Sequence, residues 1–376
     1  MTTIFVPTEI QDDETRVAAS PETTKRMVKL GLKVQVQAGA GLKSHMLDAE
    51  YEAAGATLIK DAETGFATAD VVVKVNQPAQ NADAGKHEVD MMKEGSLLIC
   101  FVWSIQNAEL SKRIADAKVD CMAMEAVPRI SRAQKMDALS SQSNLAGYKA
   151  VIQAADALDR IMPMMVTAAG TLKAARVVVM GAGVAGLQAI ATAKRLGAIV
   201  EATDIRPEVK EQVESLGGKF IETVEAAGEG GYAKELTDEQ KKRQQEIVQS
   251  HLIEADVVIC TALIPGRKAP ILVPAHVVEK MSAGSVIVDL AVSQGGNCEL
   301  AEPGTVVKHG VTIVGFPNVP ALLSTDASAL YSRNVLALVT DIVDKENDAA
   351  LKLSLEDEVV NGALIIHKGE IRHERT

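Results

Sequence analysis

Aromatic side chains are scarce, with Phe, Trp and Tyr together making up only 3% of the 376 residues. Because 47% of the chain is nevertheless hydrophobic, its cores must be built from Val, Ile, Leu, Ala and Met. An excess of positive charge is also lacking. The net charge of -11 disfavours nucleic acid as a partner, which needs a basic face, and an anionic membrane surface. Long apolar runs are absent too. The longest are strand-length, far short of the ~20 residues that cross a bilayer. The start, Met1-Thr-Thr-Ile-Phe-Val-Pro7, has neither the basic residues nor the apolar core of a signal peptide. None of the four cysteines (Cys100, Cys121, Cys260, Cys298) belongs to a CxxC pair, and buried free thiols in a reducing cytoplasm are expected. The seven histidines show no HxxxH or HExxH spacing, so no metal site is indicated.

What remains is an alternation of valine-rich runs and Ala/Leu-rich helical stretches, the pattern of an α/β protein. The expected strands of a first domain are residues 4–7, 33–37, 71–75, 97–102 and 119–124. Nearly all-apolar strands between helices imply a parallel sheet covered on both faces. Ser20-Pro21-Glu22 reads as a helix N-cap with proline at the first position, and Gly31 as the stop. Residues 129–144 break the pattern as a polar loop. A long helix follows at about 145–162, with Gly147 its weak point. The second series of expected strands is 176–180, 199–203, 219–222, 256–260, 285–290 and 311–315. The charged, glycine-rich segment 226–243 reads as a mobile loop running into a helix. A second long helix is expected at about 327–343, and a hairpin-like tail with Lys368-Gly369 as its turn. The expected architecture is two Rossmann-like, doubly wound parallel-sheet domains. They are separated by a cleft and bridged by the two long helices. Residues 1–137 and 325–376 form one domain and residues 143–320 the other.

The run Arg176-Val-Val-Val-Met-Gly181-Ala182-Gly183-Val184-Ala-Gly186 is strand, glycine turn and helix. Its first glycine permits the tight turn, the second lets backbone approach a pyrophosphate, and the third allows close helix–strand packing. The phosphates then meet the positive end of the helix dipole. A GxGxxG alone is a weak signal, but here a β-branched strand precedes it and a second strand ends at Asp204, 18 residues beyond Gly186. A carboxylate there grips the ribose hydroxyls. Its charge repels a 2′-phosphate, whereas the nearby Arg206 could accept one. The carboxylate at the strand end favours NAD over NADP.

The run Pro128-Arg129-Ile130-Ser131-Arg-Ala-Gln134-Lys-Met-Asp137-Ala-Leu-Ser140-Ser-Gln-Ser-Asn-Leu-Ala-Gly-Tyr148 resembles the signature loop of proton-translocating nicotinamide nucleotide transhydrogenase, in its NAD(H)-binding domain I. Residues 181–197, Gly230-Gly-Tyr-Ala-Lys234, Thr261-Ala-Leu-Ile-Pro-Gly266, Asp289-Leu-Ala and Gly295-Gly-Asn297 resemble the same family, so the likeness covers essentially the whole chain. It implies direct hydride transfer between NAD(H) on this chain and NADP(H) on a partner domain, the beta subunit. A membrane-embedded subunit would couple this to proton translocation. The resemblance assigns Gln134 to orienting the nicotinamide and bridging toward the partner's cofactor. It makes Arg129 and Asp137 a pair that holds the loop, with Ser140 close by. Arg129, Ile130, Ser131 and Gln134 become nucleotide contacts, with Gly181, Ala182, Gly183, Val184, Gly186, Asp204, Ile205 and Arg206. Gly231 and Tyr232 match a loop that closes over nucleotide, and Gln244 and Leu263 match further contacts. No metal is implied. A homodimer is, placed in the cytoplasm on the inner membrane through its partner subunits. The chain stops before the membrane helices of longer family members. It reads as the separate first subunit of a three-subunit arrangement, although a piece of a longer chain would read the same.

Alanine dehydrogenase shares much of this pattern. Arg16 and Lys74 match the residues with which that family holds its substrate. Its acid/base His falls where this chain has Phe101, however, and its catalytic Asp where this chain has Ser293. Deamination needs proton transfers as well as a hydride, so the missing groups weigh against it. Arg16 and Lys74 then read as structural remnants or partner contacts. A third reading, a non-enzymatic NAD(H) sensor, differs from the first by lacking turnover with an NADP-binding partner.

Overall fold

The computed structural model describes residues 1–222, 237–263, 267–344 and 347–373. The chain forms two compact units, one of residues 1–142 with 320–376 and the other of residues 143–319.

The sheet of the first unit has eight strands. From edge to edge they are Glu370–Ile371, Leu364–His367, Asp120–Ala123, Leu97–Cys100, Val71–Val73, Thr3–Val6, Lys33–Gln37 and Thr57–Ile59. The six N-terminal strands are parallel, and the C-terminal hairpin adds antiparallel to Asp120–Ala123. Successive side chains divide between two cores. Ile4, Val6, Val71, Val73, Leu97 and Ile99 pack on one face with Tyr331, Val335, Leu338 and Ile342 of the helix Ser324–Ile342. Phe5, Val72, Leu98 and Cys100 pack on the other with Phe66 and Ile114. Burial on both faces is why these strands lack polar alternation. Ser20 caps the helix Pro21–Lys29 through a hydrogen bond from the Thr23 N–H, and Gly31 follows with φ +86°. In the tail hairpin, Lys368 and Gly369 both have positive φ (+53° and +81°), as a tight two-residue turn requires.

The polar run after Pro128 is more ordered than its composition suggests. Residues Ser131–Met136 form a 3-10 helix, and the long helix begins at Ala138 and ends at Ala157. The expected loop over 129–144 is corrected accordingly. Asp137 supplies the cap, accepting the Ser140 N–H at 2.9 Å. The polar side chains of the first turns find tertiary partners. Ser141 donates to Asn334 at 2.8 Å, and Gln142 accepts from Arg16 and donates to the Ala327 carbonyl. This helix passes from the first unit into the second, whereas the return falls between Val319 and Pro320, ahead of the helix Ser324–Ile342.

The second unit has a seven-stranded sheet in the order Lys219–Phe220, Ile199–Thr203, Arg176–Met180, Val257–Cys260, Val286–Asp289, Val311–Gly315 and Gly304–Lys308. All pairings are parallel except the last, an antiparallel edge strand that the residue pattern did not announce. From Arg176–Met180 the chain builds outward through Ile199–Thr203. It then returns to the other side of Arg176–Met180 with Val257–Cys260. The strand order therefore reverses beside Met180, the place where α/β sheets hold ligands at their strand ends.

One carboxyl in the first unit gives a pH-dependent stability. Glu125, 6% exposed, follows the strand Asp120–Ala123 and accepts the N–H groups of Val102 and Trp103. Burial pushes it up from 4.5 to about 7, against the pull of those N–H donors. Since the folded value lies above the unfolded one, its stabilising contribution is complete below 4.5 and is lost as pH rises through about 7. Glu125→Gln, which keeps an acceptor oxygen but no charge, should remove that loss. Between about pH 6 and about pH 8 the native chain should lose about 1 kcal/mol relative to the variant. Urea unfolding followed by the fluorescence of Trp103, the single tryptophan, measures it. Parallel pH profiles of the two proteins would refute the assignment.

Candidate nucleotide-binding site

The turn after Arg176–Met180 is shaped by its glycines. Gly181 has φ +99°, which side chains rarely permit. A Cβ on Gly186 would lie 1.8 Å from the Gly181 carbonyl oxygen and 3.2 Å from Thr261 Oγ1, so the helix Val184–Arg195 can pack this closely only with glycine there. Gly183 caps the helix without a side-chain acceptor, the arrangement in which a helix start can take an anion on its first-turn N–H groups. Thr261, at the end of the neighbouring strand, donates to the carbonyl oxygens of Met180 and Gly181 at 3.2 and 3.0 Å and ties the two strand ends together.

Asp204 closes the adjoining corner. Its carboxylate accepts the Ala182 N–H at 2.7 Å and the Arg206 N–H at 2.9 Å, and takes a fork of 3.0 Å bonds from Arg206 Nε and Nη2. Burial pushes this carboxyl up, but the bonds from Arg206 and Ala182 outweigh it and hold Asp204 below its ordinary value. Ile205, 93% exposed, and the exposed Val184 leave an apolar surface beside the charge, while Ala182 is buried under the turn.

The loop from Thr261 is anchored by a residue to which the motifs gave no role. Asn297, fully buried, accepts the Ala262 N–H at 3.1 Å and donates to the Ala262 and Pro270 carbonyls at 2.9 and 2.8 Å. Asp289 holds Asn297 in turn through its backbone N–H at 2.7 Å. Leu263 stands exposed on that loop, and Gln244 lies half-buried in the helix Asp238–Ile253. Gly231 and Tyr232 fall outside the described residues. Gly147 also gains a role, since a Cβ there would sit 2.0 Å from the Ala185 carbonyl oxygen. The long helix therefore packs directly on the first turn of the glycine-turn helix.

The other expected residues lie in the first unit. Arg129, Ser131 and Gln134 are exposed, and Ile130, Asp137 and Ser140 are half-buried. Asp137 does not pair with Arg129. Among the described residues no ion pair joins them, and its carboxylate takes the Ser140 N–H and hydroxyl at 2.9 and 2.6 Å. The loop is held instead by Arg132, which bonds Asp341 and Asp357 at 2.7 Å, and by Asn334, which donates to the Lys135 carbonyl at 3.0 Å. These anchors are distant in sequence and carried no local signal.

Arg16 and Lys74 are both buried and have carboxylate partners. Arg16 forks onto Glu14 at 2.7 and 2.8 Å and donates to Gln142, while Lys74 lies 3.3 Å from Glu9 and 3.1 Å from Glu88. Phe101, 5% exposed, has its ring centroid 5.5 Å from those of both Trp103 and Tyr331. Ser293 is exposed in the short 3-10 helix Val292–Gln294.

A reversed parallel sheet with a glycine turn at its switch point and a carboxylate at the next strand end defines a dinucleotide-binding α/β protein. The chain belongs to the alanine dehydrogenase/PNT family, whose N-terminal domain matches residues 5–146 and whose C-terminal domain matches residues 150–374. It is 51% identical to an NAD(P) transhydrogenase alpha-subunit chain of Rhodospirillum rubrum, over 98% of this chain and 97% of that one. A solved transhydrogenase from Sinorhizobium meliloti superposes with a TM-score of 0.87 at 46% identity, covering 98% of this chain and 99% of that one. A solved L-alanine dehydrogenase superposes with a TM-score of 0.80 at 29% identity, over 99% and 97% of the two chains. Among the described residues no helix is long and apolar enough to cross a membrane.

Proposed function

We propose that this chain is the NAD(H)-binding component of a proton-translocating NAD(P) transhydrogenase. NAD(H) bound here would exchange a hydride, at nicotinamide C4, with NADP(H) held by a partner domain. A membrane-embedded partner would couple the exchange to proton movement, and the chain would act as a homodimer at the cytoplasmic face of the inner membrane. The residues fit the nucleotide. Gly181 and Gly186 hold a turn that side chains would break, Gly183 leaves its backbone bare, the helix at Val184 offers N–H groups to the pyrophosphate, and Asp204 offers a carboxylate to the ribose. Gln134, exposed on an anchored 3-10 helix, would orient the nicotinamide amide, and Asp137 with Ser140 fixes the end of that helix.

The observation that carries this reading against amino-acid oxidation is Phe101. An unionisable ring packs with Trp103 and Tyr331 where amino-acid oxidation needs a proton carrier. An amino-acid substrate would also have to displace Glu14 from Arg16, and Glu9 and Glu88 from Lys74. Hydride transfer between two nicotinamides needs alignment and proximity rather than a proton-transfer group. The test is transfer from NADH to an NADP analogue by the purified chain, with and without the soluble NADP-binding domain of a transhydrogenase. Turnover is expected only with that domain, and none with alanine and NAD. Oxidation of alanine by the chain alone would overturn the reading. NADH binding without turnover would leave a sensor.

A further inference from the structure

Asp204 is fully subscribed. A carboxylate offers about four lone-pair positions, and four donors take them: the Ala182 N–H and Arg206 Nη2 on Oδ2, the Arg206 N–H and Nε on Oδ1. Two of these donors belong to the backbone of the glycine turn and of the strand end, so they cannot leave without undoing the turn. The other two belong to one side chain that is half exposed, while the Asp204 side chain is only 7% exposed. Ribose hydroxyls that donate to Asp204 can therefore do so only at the expense of the guanidinium.

We propose that Arg206 is an internal rival of the nucleotide, holding on Asp204 the positions that the ribose hydroxyls take and leaving them when the adenosine half binds. The inference rests on the reading of the Gly181–Asp204 corner as an NAD(H) site. A second observation locates the guanidinium in the path. Its Nη2 lies 3.9 Å from where a Cβ of Gly183 would stand, so it also overhangs the turn that the pyrophosphate approaches. Breaking an ion pair on every binding event weakens the adenosine half and shortens its stay. A carrier that must exchange one nucleotide per turnover gains speed from this and loses affinity. The same displacement puts a guanidinium beside the ribose only after Asp204 has been engaged, so the arginine serves nucleotide release before it serves any phosphate.

Adenosine is the probe, because it is uncharged and any ion-pair contribution to its binding comes from the protein. Calorimetric titration of the full chain compares the native protein with Arg206→Leu and Arg206→Lys, with unfolding midpoints recorded for each. Arg206→Leu should bind adenosine about threefold to fivefold more tightly than native at low salt, the scale of an exposed ion pair. Native affinity should rise toward that of the variant between ~0.1 M and ~1 M salt, where the screening length falls from ~10 to ~3 Å. The affinity of the leucine variant should stay flat over the same range. The lysine variant, with a single donor in place of the fork, should lie between the two. Equal or weaker adenosine binding by a folded Arg206→Leu, or the same salt dependence in both proteins, would overturn the proposal while leaving native NADH binding intact. Failure of the native chain to bind NADH at all would instead remove the NAD(H) reading beneath it.

Discussion

Gly186→Ala should lower NADH affinity by more than about a hundredfold, since it removes the close helix–strand packing on which the phosphate site depends. The added carbon would stand 1.8 Å from the Gly181 carbonyl oxygen and 2.8 Å from its carbonyl carbon, and both obstacles are backbone. No rotamer relieves such an overlap, so the helix Val184–Arg195 must retreat from the strand and carry its first-turn N–H groups away from the turn. Retreat is itself opposed, because Ala185 in that first turn is packed against Gly147 of the long helix. Overpacking of this kind destabilises by roughly 1–3 kcal/mol or more, so the thermal midpoint should fall as well. Gly183→Ala gives the contrast. It has φ in the ordinary range, and the nearest atom to an added Cβ is 3.9 Å away. Stability should hardly change, while binding weakens because the methyl stands where a phosphate approaches. If Gly186→Ala bound NADH within about tenfold of native, short of the loss that displaced helix–strand packing demands, the glycine turn would not be the nucleotide site.

Gln134→Asn should reduce hydride transfer to a partner-bound NADP analogue about a hundredfold, the cost of roughly an ångström of misplacement at a reacting centre. NADH affinity should change only a few-fold. The substitution withdraws the amide by about one bond, ~1.5 Å, on a scaffold that does not follow it. Ala133 and Met136 are buried beneath the 3-10 helix, Arg132 is forked onto Asp341 and Asp357, and Asn334 holds the Lys135 carbonyl. Single-turnover transfer with the NADP-binding domain present, set beside direct NADH titration, separates alignment from affinity. Equal losses in both would make Gln134 a plain binding contact, and unchanged transfer would remove it from the site.

Much of this arrangement could be read from the residues, for identifiable reasons. Strands Val71–Val73, Leu97–Cys100 and Arg176–Met180 lie within their apolar runs, because burial on both faces leaves an unbroken hydrophobic signal. Gly181 and Gly186 were legible because a positive φ and a backbone contact admit only glycine there, and Asp204 because it directly follows the next strand. The edge strand Gly304–Lys308 escaped because Thr305 and Val307 face solvent and a glycine opens it. The hairpin Met165–Thr167 and Gly170–Leu172 escaped because both of its strands are exposed and no core imposes a pattern. Residues 138–144 read as loop by composition, yet their polar groups are satisfied by Asn334, Arg16 and the Ala327 carbonyl, all far away in sequence. The same distance hid the partners of Arg132 and Asn297. Local sequence records what a residue demands of its own backbone and says little of a partner far along the chain.

The first unit leaves off at Gln142 and resumes at Pro320, and its sheet is completed by strands from Leu364 onward. During synthesis the second unit is therefore finished and able to fold while the first still lacks its long helix and its closing hairpin. The apolar face that Tyr331, Val335 and Leu338 will cover stays open until the helix Ser324–Ile342 has emerged. The ribosome-bound chain should thus acquire a nucleotide-binding half before it acquires a stable neighbour for it, making the first unit the one more dependent on chaperones. NADH supplied during synthesis would stabilise the early-folding half alone.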